Sequence, residues 1–150
     1  MNTTTYAPAA ASSTKSISSA DIGLLLFRFA LGAVFIAHGG QKMFGWFGGK
    51  GLEATVNGMA EGGIPVALAY LASFTEFFGG IAMIIGLFTR LAGLGLGITM
   101  AVAVLKVHLA DGFFKFEFPL VLMLVSFGLM LTGPGRLAIA DLEARLFRRK

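Results

Sequence analysis

Between Ile22 and Leu131 lie four stretches, each about twenty residues long, in which charge almost vanishes, and no other feature limits the fold so sharply. They cover residues 22–43, 65–88, 90–109 and 116–131. Crossing a bilayer takes about 20 helical residues, a length the first three reach and the fourth reaches if it begins at Phe113. The stretches are apolar nearly all round, whereas a helix in a water-soluble bundle keeps a polar face. They also contain Gly32, Gly79, Gly80, Gly86, Gly93, Gly95 and Gly97. Small residues let helices approach closely in a membrane, but each would weaken a helix in water. Hydrophobic residues make up 56% of the chain and charged residues 13%, too few to coat a soluble particle. The expected fold is an all-α, integral membrane four-helix bundle.

Residues 1–20, rich in Ser, Thr and Ala, read as a disordered leader with nothing to build a core. Residues 21–135 form the transmembrane domain, and residues 136–150 a basic tail. Ser19 and Asp21 are candidate caps of the first helix, Pro65 suits the first turn of the second, and "TGPGR" ends the fourth. Four spans put both termini on one side. That side carries Lys15, Arg90, Arg136 and the tail, against Lys42, Lys50, Lys106 and Lys115 on the other. The positive-inside rule then places both termini in the cytoplasm of a bacterial inner membrane. The loop at 44–64 faces outward, and its segment "GLEATVNGMAEGG" is expected to form a short helix on the membrane surface.

The net charge of +4 does not indicate nucleic acid, because Arg145, Arg148, Arg149 and Lys150 crowd the tail, where they suit anionic lipid headgroups. Cysteine is absent, which excludes disulfides and thiol relays within the chain.

Ionisable residues inside the apolar stretches mark the candidate site, since such groups face a bundle interior and find partners there. Arg28, His38, Glu76, Lys106 and His108 are of this kind. If the first two helices start level at their outer ends, Arg28 and Glu76 both lie roughly 18–22 Å below that end, as a buried ion pair. The same arithmetic puts His38 and His108 roughly 6–8 Å deep. Gln41 and Lys42 follow His38 on its helix, and Glu117 enters at that level. His38, Gln41, Lys106, His108 and Glu117 are thus expected to form a polar vestibule above the pair. The histidines could ligate a metal, hydrogen-bond a quinone carbonyl, carry protons, or simply hydrogen-bond at the interface. No HxxxH or ExxH spacing supports a metal, and none is assigned. Trp46, Phe44 and Phe47 fit an aromatic belt at the membrane boundary, and Trp46 could also stack on a quinone.

The segments "RFALGAVFIAHGGQKMFGWFGGKGLEATV", "LAYLASFTEFFGGIAMIIGLFTRLAGLGL", "VHLADGFF" and "LTGPGRLAIADL" resemble the DoxX family of small bacterial membrane proteins, over roughly residues 22–142. Arg28, His38, Gln41, Lys42, Glu76, Arg90 and His108 match the family's recurring polar positions. The resemblance implies a four-helix membrane bundle related to the DoxD subunit associated with thiosulfate:quinone oxidoreductase. It also implies links to membrane-bound oxidoreductase complexes and to defence against oxidative or quinone stress. On this reading the chain is a quinone-linked or oxidoreductase-associated subunit. His38, Glu76 and His108 would be its catalytic groups, and Arg28, Gln41, Lys42, Trp46, Lys106 and Glu117 its ligand-binding groups. The expected partners are membrane lipid, a quinone or other small molecule, oxidoreductase proteins and further copies of the chain. A non-catalytic scaffold and a transporter of small solutes or protons are the alternatives.

Overall fold

A computed structural model describes residues 16–139. The leader through residue 15 and the basic tail from residue 140 lie outside the described residues. Five α-helices are present: α1 (Ser19–Phe44), α2 (Leu52–Glu61), α3 (Val66–Ile85), α4 (Thr89–Val102) and α5 (Phe113–Thr132). A π-helical segment, Ala103–His108, prolongs α4 and passes through a short 3-10 turn into α5. No strand occurs among the described residues. Among the described residues four helices are long and apolar enough to cross a membrane: α1, α3, α4 with its extension to Asp111, and α5. Many of their large apolar side chains face outward, as lipid-facing surfaces require; Leu26, Phe27, Leu91 and Leu124 are examples. The protein is an all-α, multi-pass membrane protein.

Local chemistry sets the helix boundaries. Ser18, rather than Ser19, caps α1: its hydroxyl accepts from the Asp21 amide at 3.2 Å, and the Asp21 carboxylate accepts from the Ser18 amide at 2.9 Å. This is a reciprocal capping box, and it starts the helix at Ser19. Gly45 ends α1 and Gly86 ends α3, both in the left-handed conformation that glycine adopts without strain. The segment "LEATVNGMAE" forms α2, a short helix where one was expected between the first two spans.

The bundle is held by close backbone approaches. α1 packs along α3, α3 on α4, and α4 on α5. A Cβ placed on Gly39 would lie 2.5 Å from the Phe77 amide nitrogen, and one on Gly32 would lie 2.6 Å from the Gly80 carbonyl. On the opposite side, a Cβ on Gly93 would come within 2.7 Å of the Ser126 carbonyl. Leu31, Phe35, Met83, Leu96 and Leu129 fill the buried space between the helices. Gly39→Ala is therefore expected to destabilise the bundle by about 1–3 kcal/mol in detergent unfolding, because backbone must move to admit the methyl group. Gly23→Ala, whose added carbon meets no other part of the fold within 4 Å, is the matched control and should not destabilise the bundle.

These contacts fix the register of α1 against α3 and correct the expected Arg28–Glu76 pair. Gly39 lies level with Phe77. From that level α1 runs only five residues further to Phe44, whereas α3 runs eleven back to Val66. The start of α3 thus projects roughly 9 Å past the end of α1, where α2 packs against it. The two helices do not start level. Arg28 consequently reaches Met83, seven residues and roughly 10 Å beyond Glu76.

Candidate functional site

Arg28 is 1% exposed and belongs to the far end of the bundle. Its Nε donates to the Met83 carbonyl at 3.1 Å, and Nη2 donates to those of Ile84 at 3.3 Å and Leu137 at 2.9 Å. Nη1 donates to the Pro134 carbonyl. The last carbonyls of a helix lack partners within it and carry partial negative charge, so a guanidinium there satisfies both needs. The Ile139 amide takes the next carbonyl, of Ile85, at 3.1 Å. Asp21 accepts from the Arg136 amide at 3.1 Å, which ties the same segment to the start of α1. Arg90 repeats the device on α5, donating to the carbonyls of Met130 at 3.0 Å and Leu131 at 2.9 Å. Arg28 is therefore a helix cap and a clasp for residues 134–139.

Glu76 pairs with Lys42 instead, Oε1 accepting from the ammonium. Glu76 sits halfway along α3, ten residues after Val66 and nine before Ile85, and is 1% exposed. The Lys42 side chain, in the last turn of α1, is 24% exposed and reaches inward along its aliphatic stem. The second carboxylate oxygen, Oε2, is buried and has no hydrogen-bond partner within the protein.

Lys42 and Glu76 open onto a cavity of about 510 Å³ between α3 and α4, roofed by Met59 and Ile64. Its origin lies in small side chains. α3 and α4 close on each other where Leu96 meets Gly79. Ala72, Gly95 and Ala103 leave the space above that contact unfilled. Leu68, Leu71, Ile98 and Val102 form apolar walls whose outer surfaces face the membrane. The volume is that of a site for a small organic molecule.

His108 lines this cavity because of the π-helical segment. A regular helix continuing from Thr99 and Val102 would turn Lys106 toward the interior. The wider i→i+5 turn shifts the pattern, so that Ala103 and His108 face inward, Val107 lies exposed at the rim of the cavity, and Lys106 is exposed. The His108 Nδ1 is buried without a hydrogen-bond partner, 3.9 Å from the Asp111 carboxylate.

The expected vestibule of five polar residues is not assembled. Of its members only His108 lines the cavity. Successive helix residues turn by about 100°, so His38 points away from the face on which Gly39 meets α3. Its ring is exposed and packs 6.2 Å from that of Phe118 on α5. Gln41 contributes its backbone, its carbonyl accepting from the Gly51 amide at 3.3 Å. Glu117 is half-buried on α5. Trp46 covers Gly40 and packs edge-on against Phe77 at 5.6 Å, outside the cavity. Equal depth was a poor guide because it ignores which way each residue faces. The sequence reading missed Thr99 and the α2 contributors, although the paired glycines could have supplied the register that joins Lys42 to Glu76. Among the described residues no cluster of three His, Asp or Glu side chains could hold a metal ion.

The DoxX family model matches residues 23–109. A curated protein of Bacillus subtilis (strain 168), named "Putative oxidoreductase CatD", is 34% identical over 122 residues, which is 81% of this chain and 87% of that one. No solved structure matches at a comparable level. With the family model spanning more than half of the chain and the relative most of it, the protein belongs to the DoxX family.

Proposed function

We propose that this protein is an oxidoreductase-associated subunit of the bacterial inner membrane that holds a quinone in the cavity between α3 and α4. The observation that carries the reading is a buried carboxylate–ammonium pair with one unpartnered oxygen, set in a mostly apolar cavity of about 510 Å³. Buried polar groups without partners are costly and, at the wall of a cavity, suit a ligand that completes them. Membership of the DoxX family and a relative named "Putative oxidoreductase CatD" support the oxidoreductase association.

In this site Leu71 and Ile98 would flank the ring of the ligand, Lys42 and His108 would meet the carbonyl oxygens of a quinone, and Glu76 would accept from a hydroxyl of its reduced form. A quinone supplies two-electron, two-proton chemistry; the chain supplies the dry pocket and its polar contacts. With no cysteine for a thiol relay, the chain would leave the exchange of electrons with a bound quinone to a partner oxidoreductase. The cavity end of the bundle faces the periplasm. That orientation rests on Arg90, Arg136 and the basic residues Arg145, Arg148, Arg149 and Lys150 at the opposite end.

Solvent extraction of protein purified in native lipid should yield quinone close to one per chain. His108→Ala should weaken binding of added quinone several-fold, whereas His38→Ala should leave it unchanged. Protein that neither retains nor binds quinone contradicts the proposal.

A further inference from the structure

The polar wall of the cavity is rich in hydrogen-bond acceptors. Glu76 Oε2 is a charged acceptor, buried and without a partner. The Thr99 hydroxyl donates its proton to the Gly95 carbonyl at 2.9 Å, so only its lone pairs remain for a ligand. The Thr75 hydroxyl and the unpartnered His108 Nδ1 can take either role. Among the described residues Lys42 is the one fixed donor in the wall. One of its protons serves Glu76 Oε1, and its side chain is exposed enough for the others to reach water. A hydrogen bond to a buried carboxylate is stronger than one between neutral groups, and leaving that carboxylate oxygen unpaired costs more. The gain is therefore largest for a ligand whose head group carries a hydroxyl.

Resting on the function proposed above, we infer that the cavity selects the reduced, dihydroxy form of its ligand over the oxidised dione. A quinone presents two carbonyl acceptors and has nothing to offer Glu76 Oε2. The corresponding hydroquinone donates there, while its ring occupies the same apolar walls. The Lys42–Glu76 pair thereby reads the redox state of the ligand as well as holding it. Preferential binding of the reduced form also raises the midpoint potential of the bound couple.

The test is anaerobic calorimetry on the full-length protein in lipid nanodiscs, with duroquinone, durohydroquinone and durohydroquinone dimethyl ether as probes. The hydroquinone should bind about tenfold more tightly than the quinone, equivalent to a rise of about 30 mV in the potential of the bound couple. The dimethyl ether keeps the ring and loses both donors, so it should bind no better than the quinone. Glu76→Gln places an amide donor where the carboxylate stood and should remove or reverse the preference. Because the ether is tested on the unmodified protein, the inference does not depend on the variant folding. Equal binding of the three probes, or tighter binding of the quinone, overturns the inference and leaves ligand binding at the cavity intact. Binding of none of them overturns the proposed function as well.

Discussion

Arg28→Ala is expected to loosen the end of the bundle opposite the cavity, lowering stability by about 3–5 kcal/mol. The guanidinium joins two carbonyls from the last turn of α3 to two from the segment after α5. Its removal leaves acceptors at Met83 and Ile84 in a site that water hardly reaches, and it cuts the link to Pro134 and Leu137. The amide of Ile139, bonded to the Ile85 carbonyl, and that of Arg136, bonded to Asp21, report on the same clasp. Both should exchange with deuterium much faster in the variant, while amides along α4 and α5 near Gly93 and Ser126 keep their protection. Arg28→Lys should recover only part of the loss, because one ammonium cannot reproduce the fork of a guanidinium spread over four carbonyls. Unchanged exchange at Ile139 in Arg28→Ala would show that the clasp does not depend on this residue.

Lys42→Met is the second large effect, and it acts at the other end. It leaves the Glu76 carboxylate, 1% exposed, with neither oxygen paired. Breaking a buried pair from one side costs about 3–5 kcal/mol, since the remaining charge stays in a poor solvent. Glu76→Gln alone should be milder, because Lys42 can extend toward water along its flexible stem. Combining Lys42→Met with Glu76→Gln removes both charges and should restore most of the stability lost in Lys42→Met. Thermal unfolding of the three variants in one detergent forms a double-mutant cycle. If Lys42→Met is as stable as the unmodified protein, the pair is not what keeps Glu76 in place.

The spans were legible because their composition admits little else: runs of about twenty apolar residues can only be satisfied as membrane helices. The short helix α2 was legible too, from a segment between glycines. Arg28 and Glu76 were recognisable as interior residues, since charge in an apolar run must find partners. Their partners were not recognisable, because pairing depends on helix register. That register is set by Gly39 against Phe77 and Gly32 against Gly80, contacts between segments far apart in the chain. His108 was harder still. "AVLKVH" contains neither proline nor glycine, and nothing local announces the wide turn that brings His108 rather than Lys106 to the cavity. Lys42, which the sequence placed after His38 on the first helix with no partner named, proved to be the partner of Glu76. The site is built from long-range packing, and a pass along one chain sees that only in part.

Photolabelling in native membranes tests whether the proposed quinone occupies the cavity between α3 and α4. An azidoquinone with a short tail, irradiated and mapped by mass spectrometry, should mark residues 68–76 of α3 and 98–108 around the π-helical segment. Excess unlabelled quinone should suppress that labelling. Labelling confined to the apolar groove of Leu24, Phe27 and Leu124 between α1 and α5, or labelling that excess quinone does not suppress, would contradict the account.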